Sequence, residues 1–227
     1  MNKISLYVLL ILIYLGLSKS FSPSEQRTPY IINEKVYANF FTGSPLSVML
    51  VDSFQTGFLI KTYFQKYKVF VGFKSPEIVT VRTSPEFWRK NLKNVGLSLF
   101  RRYEGKNQTS TTPLPPGSLY IGNLAFGSWH YLDSGEKVWR FHRAYRHFPK
   151  IFAWNEFQPS FDFFERMKIH LQHQQPFYGL NNEFGEDGSI TKLSFTNSHD
   201  KTPVGRSKIS IHLKKFFDVP QWKKTAN

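Results

Sequence analysis

The chain has 227 residues, with 30 Lys and Arg against 16 Asp and Glu and no cysteine. Disulfides, thiol nucleophiles and thiolate metal sites are therefore excluded. Its 41% hydrophobic content, including 23 Phe and 11 Tyr, is enough for a sizeable core and argues against disorder.

Met1–Lys3 supply a short positive region, Ile4–Leu17 an unbroken apolar run, and Ser18-Lys19-Ser20 the small residues that precede a cleavage point. This is the layout of a secretory signal peptide over residues 1–20, with an uncleaved anchor as the competing expectation. A proline-marked leader, 21–29, follows, and residues 30–227 are expected to form one globular domain. The mature chain is then extracytoplasmic, either periplasmic or secreted. Even without Lys3 and Lys19 it stays strongly basic. The polyanions within its reach are envelope polymers and glycans carrying phosphate or carboxylate. Nucleic acid is an unfavoured partner because export removes it, and membrane contact is expected only through an uncleaved N-terminus.

Lys35–Phe41 and Pro45–Val51 read as strands, the second apolar enough to be central. Asp52 and Gln55 have capping-box spacing, which predicts a helix to Gln65. Tyr67–Phe73 and Ile78–Thr83 read as an antiparallel hairpin. Ser84-Pro85-Glu86 is a strong helix start, and Trp88, Leu92, Val95 and Leu99 continue it as an apolar stripe. Arg89, Lys90, Lys93, Arg101 and Arg102 would then form a solvated basic face. Glu104–Gly117 is a proline-rich loop within the domain, and Leu119–Gly122 resembles a short strand.

The segment Gly127–Pro149 concentrates two tryptophans with arginines, histidines and carboxylates. Asp133 to Glu136 has capping-box spacing, which predicts a helix from Ser134 to Phe148. Val138, Phe141, Tyr145 and Phe148 would form its apolar stripe, with Arg140, Arg143 and His147 on another face. A strand reading places charge on both faces and is the weaker one. Pro159-Ser160 starts a further helix, Phe161–Gln174, with Phe164, Met167 and Leu171 inward. Ser189–Phe195 and Ser207–Lys214 read as paired strands, with Asp187-Gly188 as a hairpin turn. The fold class expected is α+β: one domain with a mostly antiparallel or mixed sheet and about three packed helices.

Two functions follow. The first is non-catalytic binding of an anionic or glycan component of the cell envelope. Arg140, Arg143 and Arg146 would pair with oxyanions through their planar forks. Trp129 and Trp139 would stack on sugar rings, and Asn181, Asn182 and Glu183 would hydrogen-bond hydroxyls. The alternative is an extracytoplasmic hydrolase or lyase acting on an envelope glycan. There His142 or His147 would be the acid or base, oriented by Asp133 or Glu136. No named catalytic motif is present, so the sequence leaves catalysis open. His170 and His173, at i and i+3, fall short of a zinc ligand set, and Gly179–Gly188 lacks the acidic pattern of a calcium loop. No cofactor or metal is expected.

Overall fold

Leu46–Thr56 (β2) occupies the middle of the principal sheet. In the computed structural model, which describes residues 3–21, 28–57, 61–72, 74–104 and 108–197, β2 pairs antiparallel with Thr62–Val71 (β3) and with Ser98–Arg102 (β5). Glu77–Thr83 (β4) adds antiparallel to β3, and the two residues Tyr30–Ile31 (β1) add parallel to β4. Thr109–Ser110 (β6) closes the other edge. The architecture is α+β with a mixed sheet, and six α-helices lie among the described residues. Leu46, Val48 and Leu50 point to one face of the sheet, while Met49 and Phe70 point to the other. Each face carries its own apolar cluster, so β2 is buried on both sides. This agrees with its nearly continuous apolar sequence.

Three local expectations give way in this region. Lys35–Phe40 (α2) is a helix rather than a strand. Helical spacing puts Tyr37 and Phe41 on one side, and the Tyr37 ring lies 5.8 Å from Phe41 and 5.9 Å from Phe100. The helix predicted from Asp52 is absent, because β2 runs through those residues. Asp52 pairs with Lys66 and Ser53 with Gln65, after a bulge between Leu50 and Asp52. Asp52 and Gln55, the expected cap residues, are half-buried strand positions. Beside them lies a buried polar pair, in which the Gln65 amide donates to Ser53 Oγ at 3.4 Å. The Tyr67 hydroxyl donates to Gln65 Oε1 at 2.5 Å and meets the Tyr37 hydroxyl at 2.7 Å.

The third concerns Ser84. Its hydroxyl accepts from the Phe87 amide at 3.2 Å, as expected of an N-cap. The helix, Pro85–Lys90 (α3), is only six residues long. Gly96 then turns the chain at φ +88°, with the Thr191 side chain filling the place a Cβ would need. Beyond it the chain becomes β5. Val95 and Leu99 reach the core, but from a turn and a strand.

Residues 112–117 pack against the body; Leu114 is 1% exposed and bridges Ser98. Leu119–Gly122 is a series of turns rather than a strand. Gly127–Tyr131 (β7) and Lys137–Phe141 (β8) form a separate two-stranded hairpin. Phe148–Ile151 (α4) and Phe161–Gln172 (α5) follow. Ser160 caps α5 as expected, accepting from the Phe163 amide at 3.2 Å. Phe163 and Met167 are buried along α5, with Phe164 and Leu171 half-buried beside them. Ser189–Asn197 (α6) is helical rather than a strand, and the Asp187-Gly188 step leads into this helix instead of a hairpin. The proposed strand Ser207–Lys214 lies outside the described residues, as does most of the leader.

At the N-terminus, Lys3–Phe21 (α1) is a helix whose apolar side chains are exposed, Ile4 at 76%. No described helix is long and apolar enough to cross a membrane.

Candidate functional site

The segment from Gly127 to Ile151 folds as a hairpin, a short connection and one turn of helix, not as the long helix its spacing predicts. The predicted N-cap residues Asp133 and Glu136 sit in the hairpin turn. There the Leu132 amide donates to the Glu136 carbonyl and the Gly135 amide to the Leu132 carbonyl, both at 2.9 Å. The strands are held by aromatic pairing. Trp129 lies opposite Trp139 in the register, with ring centroids 5.1 Å apart. Gly127 pairs with Phe141, and a Cβ there would lie 2.4 Å from the Arg140 carbonyl oxygen and 2.7 Å from the Trp139 ring. Only glycine permits this approach. Lys137 Nζ sits 4.6 Å from the Phe161 ring centroid, and Trp129 packs 5.1 Å from the same ring, so the hairpin leans on the start of α5.

After β8 the chain alternates inward aromatic and outward basic residues. Phe141 packs 5.3 Å from Phe148, and Tyr145 packs 5.1 Å from Phe126. Beside these anchors, Arg140, His142, Arg143, Arg146 and His147 are exposed. The predicted division of this segment into an apolar and a basic side is therefore present, carried by a strand and a 3-10 turn at Arg143–Tyr145.

The ion pairs among the described residues join Lys90 to Glu34, Arg166 to Asp162, Lys168 to Glu165 and Lys192 to Asp187. None involves Arg140, Arg143 or Arg146. Lys68, from β3, reaches the edge of the same segment and donates to the Ile151 carbonyl at 2.9 Å. Burial lowers its pKa from the ordinary lysine value.

The histidines are placed differently from a catalytic pair. His142 Nε2 donates to the Leu124 carbonyl at 3.1 Å. His147 is exposed. No described hydrogen bond or ion pair joins Asp133 or Glu136 to either ring. Trp139 is 2% exposed, so it cannot stack on a sugar and belongs to the core. Its Nε1 is buried without a hydrogen-bond acceptor among the described residues. Trp129 is half-buried against Phe161 and Phe164. Asn181 and Glu183 are engaged with each other: the Glu183 carboxylate accepts from the Asn181 amide at 3.0 Å and from its side chain at 3.2 Å. Asn182 is exposed at a positive φ of 55°. His170 Nδ1 donates to the Pro176 carbonyl at 3.0 Å. No group of three metal-ligating side chains is found among the described residues.

Compared with known protein families, with curated proteins and with solved structures, the chain finds no match. The reading therefore rests on its own residues.

Sequence reasoning missed Arg101. Expected on a solvated helix face, it is 0% exposed on β5, among backbone carbonyls and hydroxyls. It donates to the Ser98 carbonyl at 3.0 Å, Ser110 Oγ at 3.0 Å and the Thr112 carbonyl at 2.6 Å. No described carboxylate pairs with it, and burial holds its pKa below the ordinary arginine value. Arg102, its neighbour, faces the other way and donates to the carbonyls of Ala38, Phe41 and Gly43. The period-two alternation of a strand separates the two, a pattern hidden while the segment reads as a helix.

Proposed function

We propose that this is an exported protein that binds an anionic polymer of the cell envelope through the basic surface of residues 140–150. The observation that carries this reading is the state of Arg140, Arg143 and Arg146. All three are exposed, none has a carboxylate partner among the described residues, and the backbone beneath them is anchored by Phe141, Tyr145 and Phe148. Arginine presents a planar donor fork to phosphate or carboxylate. Presented from an anchored segment, these forks lose little backbone freedom on binding. The strongly basic composition of the whole chain supports the same partner class by raising the local concentration of polyanions.

The N-terminal segment 1–20 is part of the proposal, as an export signal that is either cleaved or kept as an anchor. The exposed apolar side chains of α1 support this role. The glycan hydrolase or lyase alternative draws no support from the geometry. It needs an imidazole and a carboxylate in one cleft, and His142 and His147 lie on an open face without one.

Retention of the purified mature chain on isolated cell-envelope polymer, measured as salt is raised, tests the proposal. Binding that weakens steadily with salt is expected. Absence of binding at low salt would refute it.

A further inference from the structure

A cleft of about 910 Å³ opens on the side of the molecule built from α2, α3 and β6. It shares no residue with the arginine surface. One wall carries Lys35, Lys90, Asn91 and Asn94, and another carries Ser110 and Thr112; Tyr178 and the end of α5 complete it. Its volume is in the range of small-ligand pockets, ~300–1,000 Å³.

Hydrogen-bond directions define what the walls offer. The Tyr178 hydroxyl donates to Asn94 Oδ1 at 2.9 Å, Asn94 Nδ2 donates to Asn91 Oδ1 at 3.0 Å, and Asn91 Nδ2 donates to the Phe87 carbonyl at 3.0 Å. Every proton in this chain runs the same way. The single phenolic proton of Tyr178, a residue lining the cleft, is thereby committed, and its oxygen is left to accept. Asn91 and Asn94 are 4% and 5% exposed, so this direction is set inside the protein.

Ser110 is the converse. Its Oγ accepts from the Arg101 guanidinium at 3.0 Å and from the Thr112 amide at 3.4 Å. With both lone pairs engaged, its O–H is left to donate, and no described group accepts it. Arg101 lies behind this wall as a buried cation without a carboxylate. At the rim, the charge of Lys90 is balanced by Glu34, whereas Lys35 and Lys93 have no described carboxylate partner. The cleft thus combines one fixed acceptor, one fixed donor and a net positive field.

We infer that this cleft binds a sugar that carries one anionic substituent. Ring hydroxyls satisfy the requirement for a donor toward Tyr178 and an acceptor for Ser110, because a hydroxyl is both. A carboxylate or phosphate on the same ring satisfies the unpaired lysines. An aliphatic ligand leaves Tyr178 and Ser110 unmatched, and a neutral sugar leaves the field unused.

The test is isothermal titration of the full chain with D-glucuronate, D-glucose 6-phosphate, D-glucose and inorganic phosphate. At least one of the two acidic sugars binds, and the preferred one identifies the anionic group. Glucose and inorganic phosphate each bind at least about tenfold more weakly than that sugar, since each lacks one half of the recognised chemistry. The double variant Lys35→Glu, Lys93→Glu changes two exposed side chains and loses at least about tenfold in affinity for the acidic sugar. Ser110→Ala weakens the preferred acidic sugar and leaves inorganic phosphate unchanged. The inference is overturned if neither acidic sugar binds, if glucose binds as well as they do, or if the lysine variant binds unchanged. The cleft and the arginine surface use separate residues and are probed with separate ligands, so the two readings stand or fall separately.

Discussion

Trp129 and Trp139 face each other across the hairpin, with ring centroids 5.1 Å apart and planes inclined at 67°. This edge-to-face contact fixes the register that leaves Arg140 pointing outward opposite Ser128. The tryptophans position the basic surface rather than form it. Trp139→Ala should therefore destabilise the fold by about 3–5 kcal/mol, the usual range for a buried tryptophan. Trp129→Ala, at a half-buried ring, should cost less. Urea unfolding midpoints of the two variants check the order, and an inversion would mean that the pair does not hold the hairpin.

Gly127 supports the same register from the other end of the strand. Gly127→Ala places a methyl group against the Arg140 carbonyl and the Trp139 ring. A loss of about 1–3 kcal/mol is expected, as for overpacking in a filled core. Thermal denaturation of this variant without loss of melting temperature would show that the hairpin adjusts freely.

Arg101→Lys keeps the buried charge and discards the fork. A lysine cannot reach the Ser98 carbonyl, Ser110 Oγ and the Thr112 carbonyl together. A loss of about 2–3 kcal/mol is expected, the scale of one or two hydrogen bonds to a charged group. Chemical denaturation measures it; stability equal to the parent would show that charge alone suffices at this position.

Alkaline pH addresses the buried tyrosines. Burial pushes the Tyr120 hydroxyl up to about 12 and raises those of Tyr37 and Tyr67 as well. Each is neutral when protonated, and its folded pKa lies above the unfolded value near ~10. The folded state therefore keeps the full stabilising contribution of these groups below ~10 and loses it as pH rises toward the folded values. Tyrosinate absorbance should show a late fraction that ionises together with the loss of near-ultraviolet circular dichroism. Complete ionisation while the tertiary signal persists would contradict the buried network.

Much of this arrangement is legible in the sequence where one signal dominates. The apolar run of β2 and the β3–β4 hairpin are visible, as are the serine N-caps at Ser84 and Ser160. The separation of Phe141, Tyr145 and Phe148 from the arginines between them is visible too. It survives the error over helix and strand because a strand end, a 3-10 turn and a helical turn in succession can also keep aromatics on one side. What fails is decided by distant packing. Lys35–Phe40 is a short segment that becomes helical around one buried ring, Tyr37. Asp52 and Gln55 resemble a capping box until they are seen to pair with Lys66 and Tyr63 across two strands. Arg101 could not be foreseen, since arginine is rarely fully buried and its partners are backbone carbonyls and hydroxyls that carry no sequence signature.

The central claim concerns three exposed arginines, and retention on purified envelope polymer is its most direct measurement. The parent chain should be held at low ionic strength and released as sodium chloride rises through roughly 0.1–0.5 M, where the Debye length falls below ~10 Å. The triple variant Arg140→Ala, Arg143→Ala, Arg146→Ala should keep its melting temperature, because these side chains make no described ion pair, and should release at markedly lower salt. Retention of the folded triple variant equal to that of the parent, or retention that ignores salt, would contradict the account.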